Sequence, residues 1–183
     1  MDQHLLILDL DETLIYGTEA PLERPHDFRI GPYFVYRRPY LTDFLSTVDD
    51  WFELAVWSSA SPGYVAGVVG GVFPDPGRLR FIWASDRCTQ RFDADRRGYY
   101  WLKNLNKAKR AGYPLERILV VDDSAEKLEL HYGNLLRVRP FTGQADDTEL
   151  RDLLPFLDRL RSVENVRRVE KRFWREFGRT GYE

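Results

Sequence analysis

Apolar residues along the chain form short continuous runs that are separated by longer amphipathic segments. The first run is Leu5–Leu8, which ends at the acidic residue Asp9. A short apolar run without polar alternation is typical of a strand that is buried on both faces, as in a parallel sheet. The same pattern predicts further strands at Glu53–Trp57, Arg80–Ala84, Ile118–Val121 and Leu136–Val138.

The segments between these runs carry apolar residues at helical spacing. Pro39 stands in a predicted first turn, where proline is tolerated. Pro155 lies inside the last helical pattern, and we expect it to kink or divide that helix. Three predicted helices begin at Pro39, at Ser61-Pro62 and at Asp147. Two further predicted helices cover Leu102–Ala111 and Ser124–Leu130, and Ser124 is the expected cap of the second.

Three segments do not follow this alternation. Tyr16–Arg38 is rich in proline and glycine, and its parts Phe28–Ile30 and Tyr33–Tyr36 flank a Gly-Pro pair, which predicts a small β-hairpin insertion. Asp86–Gly98 is polar, and we expect it to be irregular. Val163–Glu183 is basic and aromatic, which predicts a solvated amphipathic helix.

Strands that alternate with helices predict one α/β domain over residues 1–183, with a Rossmann-like, doubly wound parallel sheet. Hydrophobic residues make up 43% and charged residues 31% of the chain, which is the profile of a globular rather than a disordered protein. The net charge of −2 gives no indication of nucleic-acid binding.

The chain also lacks the signals of membrane insertion and export. No segment is long and apolar enough to cross a bilayer, and the short, acidic start does not resemble a signal peptide, so no membrane partner is expected. The single cysteine, Cys88, cannot form an internal disulfide and has no histidine placed to activate it. We therefore expect Cys88 to be a packing residue and the protein to be cytoplasmic, or nuclear if the organism is eukaryotic.

Polar side chains follow three of the predicted buried strands. Asp9, Ser58 and the pair Asp122-Asp123 each lie at the carboxyl end of such a strand. Ligands of open α/β sheets bind at this edge, so we expect these side chains to converge there. Carboxylates from two strands suit a hard cation such as Mg²⁺, which prefers oxygen ligands.

These residue types fit chemistry at a phosphoryl group. A carboxylate such as Asp9 can attack phosphorus, and Asp11 can protonate the leaving oxygen and later activate water. Ser58 can donate a hydrogen bond to a phosphoryl oxygen. Lys103, at the start of a predicted helix, can neutralise charge on the phosphoryl group and on Asp9.

The segment Asp9-Leu10-Asp11-Glu12-Thr13 resembles the DxDxT signature of phosphatases of the haloacid dehalogenase superfamily. Four further segments and the closing helix resemble the small C-terminal-domain phosphatases, the NLI-interacting-factor-like group, in the same order from about Leu5 to Val166. These segments are Tyr36-Arg37-Arg38-Pro39, Trp57-Ser58-Ser59-Ala60 with Tyr64, Lys103-Asn104-Leu105, Val121-Asp122-Asp123-Ser124 and Asp147–Leu157.

This resemblance implies a haloacid dehalogenase fold in which Asp9 is the nucleophile and Asp11 the general acid and base. It implies that Mg²⁺ is held by Asp9, the backbone carbonyl of Asp11 and Asp123, with Asp122 behind them and paired with Lys103. The residues assigned to phosphate binding are Ser58, Ser59, Lys103 and Thr13. Ser58 and Asp123 stand where many relatives have threonine and asparagine, and Tyr16-Gly17 stands where a His-Ser type of pair is usual.

Three functions are compatible with these residues. The first is hydrolysis of phosphoserine or phosphothreonine in a protein. The second is a phosphatase of nucleic-acid ends or of a small phosphometabolite, and the third is a binding module that kept the fold without catalysis. The complete set of reactive side chains favours an enzyme over the binding module.

The intervals between the motifs favour a phosphorylated protein or peptide as the substrate. Neither the interval Thr13–Ser58 nor the interval Ser58–Lys103 has room for a large cap domain of ~50 residues or more. The hairpin segment beside the site is rich in aromatic residues and also bears Arg24, Arg29, Arg37 and Arg38. An open site with such a surface suits an extended peptide.

Overall fold

A parallel sheet forms the centre of the structure, which is a computed structural model that describes residues 3–94 and 97–177. The strands of these ranges are β1 (Leu5–Leu8), β2 (Ile15–Thr18), β3 (Phe28–Ile30), β4 (Tyr33–Arg37), β5 (Glu53–Trp57), β6 (Ile82–Trp83), β7 (Thr89–Asp93), β8 (Gly98–Leu102), β9 (Ile118–Asp122) and β10 (Leu135–Arg137). The central sheet has the order β10-β9-β1-β5-β6, and its strands are parallel throughout.

Helices cover both faces of this sheet. In the described part of the chain they are α1 (Leu41–Trp51), α2 (Pro62–Val72), α3 (Asn106–Arg110) and α4 (Glu149–Leu160). Leu6 and Leu8 of β1 lie in a core with residues of α1, α2 and α4, whereas Leu5 and Ile7 lie in a second core with residues of α3. The arrangement confirms the predicted doubly wound α/β fold, and no described helix has the length and apolarity needed to span a membrane.

The predicted hairpin insertion is confirmed and is larger than expected. The strands β3 and β4 pair antiparallel around Gly31, and β2 joins the other edge of β4 to give a three-stranded sheet. Apart from this sheet and the β7–β8 hairpin described next, the described residues hold no further inserted unit. The absence of a large cap from these ranges agrees with the spacing of the motifs.

The prediction that Asp86–Gly98 is irregular was wrong. The strands β7 and β8 form an antiparallel hairpin in this region, with Phe92 opposite Tyr99. Most side chains of β7 are exposed, so this strand needs no apolar run and gives no burial signal in the sequence.

Two helix starts also differ from the prediction. The helix α1 begins at Leu41 rather than Pro39, because Tyr40 adopts a left-handed backbone with a φ of 64°. The helix α3 begins at Asn106, because Leu102 is paired in β8 and Lys103 donates its backbone N–H to the carbonyl oxygen of Lys127 at 2.8 Å. Lys103 therefore lies between β8 and α3 and not at the start of a helix.

The segment after β9 is a 3₁₀ helix, Ala125–Asn134, which is interrupted at Leu128 and His131. Ser124 does not cap it, because its hydroxyl donates to Asp123 Oδ2 at 3.1 Å. Asp147 does serve the start of α4, where its Oδ1 accepts the backbone N–H of Glu149 at 3.0 Å. Pro155 lies within α4 and does not divide it.

The helix predicted over Val163–Glu183 is not present in residues 163–177, and the rest of that segment lies outside the described residues. The segment has short 3₁₀ turns at Val166–Arg168 and Trp174–Glu176. Trp174 is buried, and its Nε1 donates to the carbonyl oxygen of Arg137 at 2.9 Å. Contacts of this kind with the domain, rather than a helical repeat, set the path of the segment.

Candidate active site

The loop after β1 brings two carboxylates to the carboxyl edge of the central sheet. Asp9 continues β1, and its backbone N–H bonds to the carbonyl oxygen of Val121 in β9 at 3.0 Å. The chain then folds back on itself, because the N–H groups of residues 13, 14 and 15 all point to the carbonyl oxygen of Leu10. Glu12 adopts a left-handed backbone with a φ of 59° in this turn. The turn holds Asp11 at the mouth of the site while Asp9 stays buried.

Two lysines contact the carboxylate of Asp9, one on each oxygen. Lys103 Nζ lies 3.0 Å from Oδ1, and Lys127 Nζ lies 3.1 Å from Oδ2. Burial alone would raise the pKa of Asp9, but the two lysines outweigh it and lower the pKa below its usual range. Asp9 is therefore held as a carboxylate, which is the form that can act as a nucleophile.

Asp11 has the opposite electrostatic environment. Burial raises the pKa of Asp11 to about 6, the negative charge of Asp9 acts in the same direction, and a hydrogen bond from Tyr64 opposes both. The pKa values of the two neighbouring carboxylates are thus shifted in opposite directions, as expected for a nucleophile beside a general acid.

Asp122 and Asp123 complete the site from the end of β9. Asp122 is fully buried, and its Oδ2 accepts a hydrogen bond from Lys103 Nζ at 2.5 Å. Asp123 Oδ1 is buried and has no hydrogen-bond partner among the described residues. The carboxylates of Asp9, Asp122 and Asp123 each offer an oxygen within 4.8 Å of the others. A set of buried oxygens, one of which accepts no hydrogen bond from the described residues, fits a hard divalent cation such as Mg²⁺.

The sequence analysis missed Lys127. Besides Asp9, its Nζ lies 3.6 Å from Asp122 Oδ1 and 3.8 Å from Asp123 Oδ1. Burial opposes its charge, but the three carboxylates raise the pKa of Lys127 above its ordinary value. The sequence could have indicated Lys127 through its position four residues after Asp123, because side chains at this spacing lie on the same side of a helical turn.

The residues assigned to phosphate binding lie at three places around this edge. Ser58 is buried at the end of β5, and its Oγ accepts the backbone N–H of Ala60 at 3.0 Å, which leaves its own proton for another acceptor. Ser59 follows it and is half-buried. The buried hydroxyl of Thr13 has no hydrogen-bond partner in the described ranges. Lys103 is fully buried and contacts both Asp9 and Asp122.

Two residues of the hairpin insertion are internal and not part of an exposed peptide-binding surface. Tyr36 is fully buried, and Arg38 is 1% exposed. The Nε and Nη2 atoms of Arg38 each donate to the carboxylate of Asp147 at 2.8 Å, and Nη1 donates to the carbonyl oxygen of Thr13 at 2.9 Å. This bidentate ion pair holds the loop that carries Asp9 and Asp11 against the start of α4.

Tyr64 in α2 holds the side chain of Asp11. Its hydroxyl donates to Asp11 Oδ1 at 2.6 Å, and burial together with Asp11 raises the pKa of Tyr64, so the donor stays protonated. Gly17 in β2 makes room for this contact, because a Cβ at that position would lie 2.3 Å from the Tyr64 hydroxyl oxygen. The sequence analysis named both Tyr64 and Gly17, but only the structure shows that they act together on Asp11.

Replacing Tyr64 by phenylalanine is expected to lower kcat for an alkyl phosphate by about tenfold with little change in KM, because a hydrogen bond to a charged group contributes roughly 1.5–3 kcal/mol. Gly17→Ala should have a similar effect, because the new methyl group displaces the hydroxyl. The double variant should be no slower than Tyr64→Phe alone, since phenylalanine removes the clashing oxygen. Steady-state kinetics with melting temperatures for all three test this, and additive losses would contradict it.

Comparisons with known proteins match most of the chain to one family. The family model described as NLI interacting factor-like phosphatase matches residues 4–167. The chain is 33% identical over 173 residues to a "Probable C-terminal domain small phosphatase" of Dictyostelium discoideum, a match that covers 90% of this chain and 53% of that protein. It is 30% identical over 183 residues to "CTD nuclear envelope phosphatase 1" of Xenopus laevis, with 92% of this chain and 71% of that protein covered.

A solved structure shares the fold. The fission yeast RNA polymerase II CTD phosphatase Fcp1 bound to beryllium fluoride superposes with a TM-score of 0.59 at 19% identity, and the match covers 76% of this chain and 42% of that one. At this identity the likeness concerns the fold alone. The chain spans about half the length of the Dictyostelium relative, so the activity of the whole relative does not transfer directly.

Proposed function

Because the chain belongs to the family of NLI interacting factor-like phosphatases, we propose that it is a Mg²⁺-dependent phosphomonoester hydrolase. It acts through an aspartyl-phosphate on Asp9, and its substrates are phosphoserine or phosphothreonine residues of a protein. Relatives named as small C-terminal-domain phosphatases support the substrate class. A reducing compartment, the cytoplasm or the nucleus, suits the unpaired Cys88.

One observation carries the proposal. Asp9 is a buried carboxylate that two lysines keep ionised, and it lies next to Asp11, whose pKa is raised to about 6 mainly by burial. An ordinary strand-end turn needs neither the paired lysines nor the raised pKa. Nucleophilic attack followed by proton transfer needs both.

The reaction follows from these two side chains. An oxygen of Asp9 attacks phosphorus, the bond from phosphorus to the serine oxygen breaks, and Asp11 gives its proton to the leaving oxygen. Asp11, now a carboxylate, then accepts a proton from water as the water oxygen attacks the phosphorus of the aspartyl-phosphate. The bond from phosphorus to the Asp9 oxygen breaks in this step, so phosphate leaves, Asp9 is again a carboxylate and Asp11 again carries a proton.

The remaining side chains stabilise charge during this reaction. Ser58 is placed to donate to a phosphoryl oxygen, and Lys103 offsets negative charge on Asp9 and on the phosphoryl group. Mg²⁺ would be held by Asp9, the backbone carbonyl of Asp11 and Asp123. Asp122 would lie behind these ligands, paired with Lys103. When bound there, the ion supplies positive charge beside the phosphoryl oxygens.

Hydrolysis of a chromogenic aryl phosphate, with and without Mg²⁺, tests the activity. Turnover that depends on Mg²⁺ and is inhibited by beryllium or aluminium fluoride is the expected result, because these complexes mimic a phosphoryl group on Asp9. A phosphopeptide should then show a much higher kcat/KM than free phosphoserine. A preference for one sugar phosphate or nucleotide would indicate a metabolite phosphatase, and no turnover under any condition would indicate a binding module.

The metal assignment predicts different results for two substitutions of Asp123. Asp123→Ala should raise the Mg²⁺ concentration needed for half-maximal binding by at least the roughly 10–100-fold that loss of an outer-shell partner costs, because here a ligand oxygen itself is lost. Asp123→Asn should bind Mg²⁺ almost as the wild type does, since the amide keeps an oxygen. Titration calorimetry measures this without substrate, and equal affinities of the two variants would contradict a direct contact.

A further inference from the structure

The β7–β8 hairpin has one packed face and one exposed aromatic face. Side chains alternate along a strand, so Arg91 and Tyr100 lie on one face. Arg91 Nη1 and the Tyr100 hydroxyl both donate to Glu129 Oε1, at 2.9 and 2.8 Å, which fixes that face to the segment after β9. The opposite face carries Phe92, Tyr99 and Trp101, which are 58%, 70% and 37% exposed. We call these three residues the aromatic face.

The aromatic face leads directly into the catalytic residues. Thr89 pairs with Leu102 at the base of the hairpin, so Cys88 and Lys103 come next along the two strands. By the same alternation, Cys88 and Lys103 follow on the side of the aromatic face. Cys88 Sγ lies 3.8 Å from the carbonyl oxygen of Ser58, and Lys103 Nζ lies 3.0 Å from Asp9 Oδ1. Both ends of the hairpin base therefore point to the catalytic centre.

We propose that the aromatic face binds the stretch of substrate polypeptide next to the phosphorylated residue. This docking role rests on the proposed function and specifies which surface beside the site recognises the phosphoprotein. A phosphorylated residue bound at Asp9 has its chain neighbours beside the base of the hairpin, so the polypeptide can continue along the exposed rings. Exposed aromatic clusters are typical of interaction surfaces, and tyrosine and tryptophan are frequent anchors in them.

The length of the hairpin sets the kind of substrate that can use this face. At about 3.3 Å per residue, Tyr99 lies roughly 13 Å along β8 from Lys103. An extended chain needs about four residues to cover this distance. Free phosphoserine and small phosphometabolites are too short to reach it. The rings of Phe92 and Tyr99 meet edge to face with centroids 5.2 Å apart, which offers an apolar contact for the side chains of an extended peptide.

Kinetics with phosphopeptides of two lengths test the proposal. One peptide carries a single residue on each side of phosphoserine, and the other carries about six, enough to pass the hairpin. The wild type should hydrolyse the long peptide with a kcat/KM about tenfold higher than the short one. In Phe92→Thr/Tyr99→Thr this difference should disappear, while the rates for the short peptide and for an aryl phosphate stay the same. Threonine suits a strand, so the hairpin should remain folded.

Phe173→Thr is the matched control, because Phe173 is 59% exposed and lies in the C-terminal segment. It should keep the preference for the long peptide. Fluorescence anisotropy of labelled long peptide, measured alongside, tests docking whether or not turnover occurs, and the double variant should bind it about tenfold more weakly. Unchanged binding and an unchanged length preference in the double variant would overturn the proposal. A wild-type dimer that the double variant converts to a monomer, with peptide binding unchanged, would assign the face to self-association instead.

Discussion

Asp9→Asn is expected to lower phosphatase turnover by roughly 10⁴-fold or more, the loss that follows removal of a covalent nucleophile. The amide cannot form the aspartyl-phosphate, and it is a weaker partner for Lys103 and Lys127, which contact both oxygens of Asp9. The loss should appear in kcat for good and poor leaving groups alike, because every substrate must pass through the same intermediate. Steady-state rates with an aryl phosphate and with a phosphopeptide measure it.

A matched control separates this loss from a general effect of removing a carboxylate. Asp146→Asn makes the same chemical change at an exposed position and should leave turnover unchanged. The melting temperature of Asp9→Asn should be compared with the wild type, because two lysines lose their charged partner in a buried site. Turnover of a folded Asp9→Asn variant within tenfold of the wild type would remove Asp9 from the nucleophile role.

The central sheet was predictable because burial on both faces leaves an unmistakable pattern in the sequence. Leu5–Leu8 and Ile118–Val121 are continuous apolar runs, and both are fully buried strands of the parallel sheet. The β7–β8 hairpin was not predictable in this way, because β7 is largely exposed and β8 is buried only at Leu102, so neither strand needs a continuous apolar run. The same reason explains the error at Lys103, whose position depends on where β8 ends.

The site was predictable wherever residue type and position at a strand end were sufficient. Asp9, Ser58, Asp122 and Asp123 lie at the carboxyl edge of the sheet, where parallel strands bring them together. Contacts between residues far apart in the chain were predictable only where the family resemblance implied them, as for Lys103 and Asp122. Tyr64 reaches Asp11 across 53 positions, and this contact depends on how α2 packs against the hairpin insertion. Only tertiary structure defines such pairs.

The contact between Tyr64 and Asp11 bears directly on a second large effect. Asp11→Asn is expected to lower hydrolysis of a serine phosphate by 10²–10⁴-fold, the range typical of a lost general acid and base. The asparagine amide cannot protonate the serine oxygen as it leaves. Burial, which raises the pKa of Asp11 to about 6, is the physical reason that the wild-type carboxyl can do so.

An activated aryl phosphate should separate the two roles of Asp11. Its leaving oxygen departs without a proton, so Asp11→Asn should still transfer the phosphoryl group to Asp9. The second half-reaction needs a base for water, so the aspartyl-phosphate should then accumulate. We expect a burst of one phenolate per protein in stopped-flow absorbance, and a protein mass increased by one phosphoryl group that is absent in Asp9→Asn/Asp11→Asn. Equal losses of activity for the aryl and serine phosphates, without a burst, would show that Asp11 does not act as the acid and base. The variant would then be impaired at a step that precedes proton transfer to the leaving oxygen.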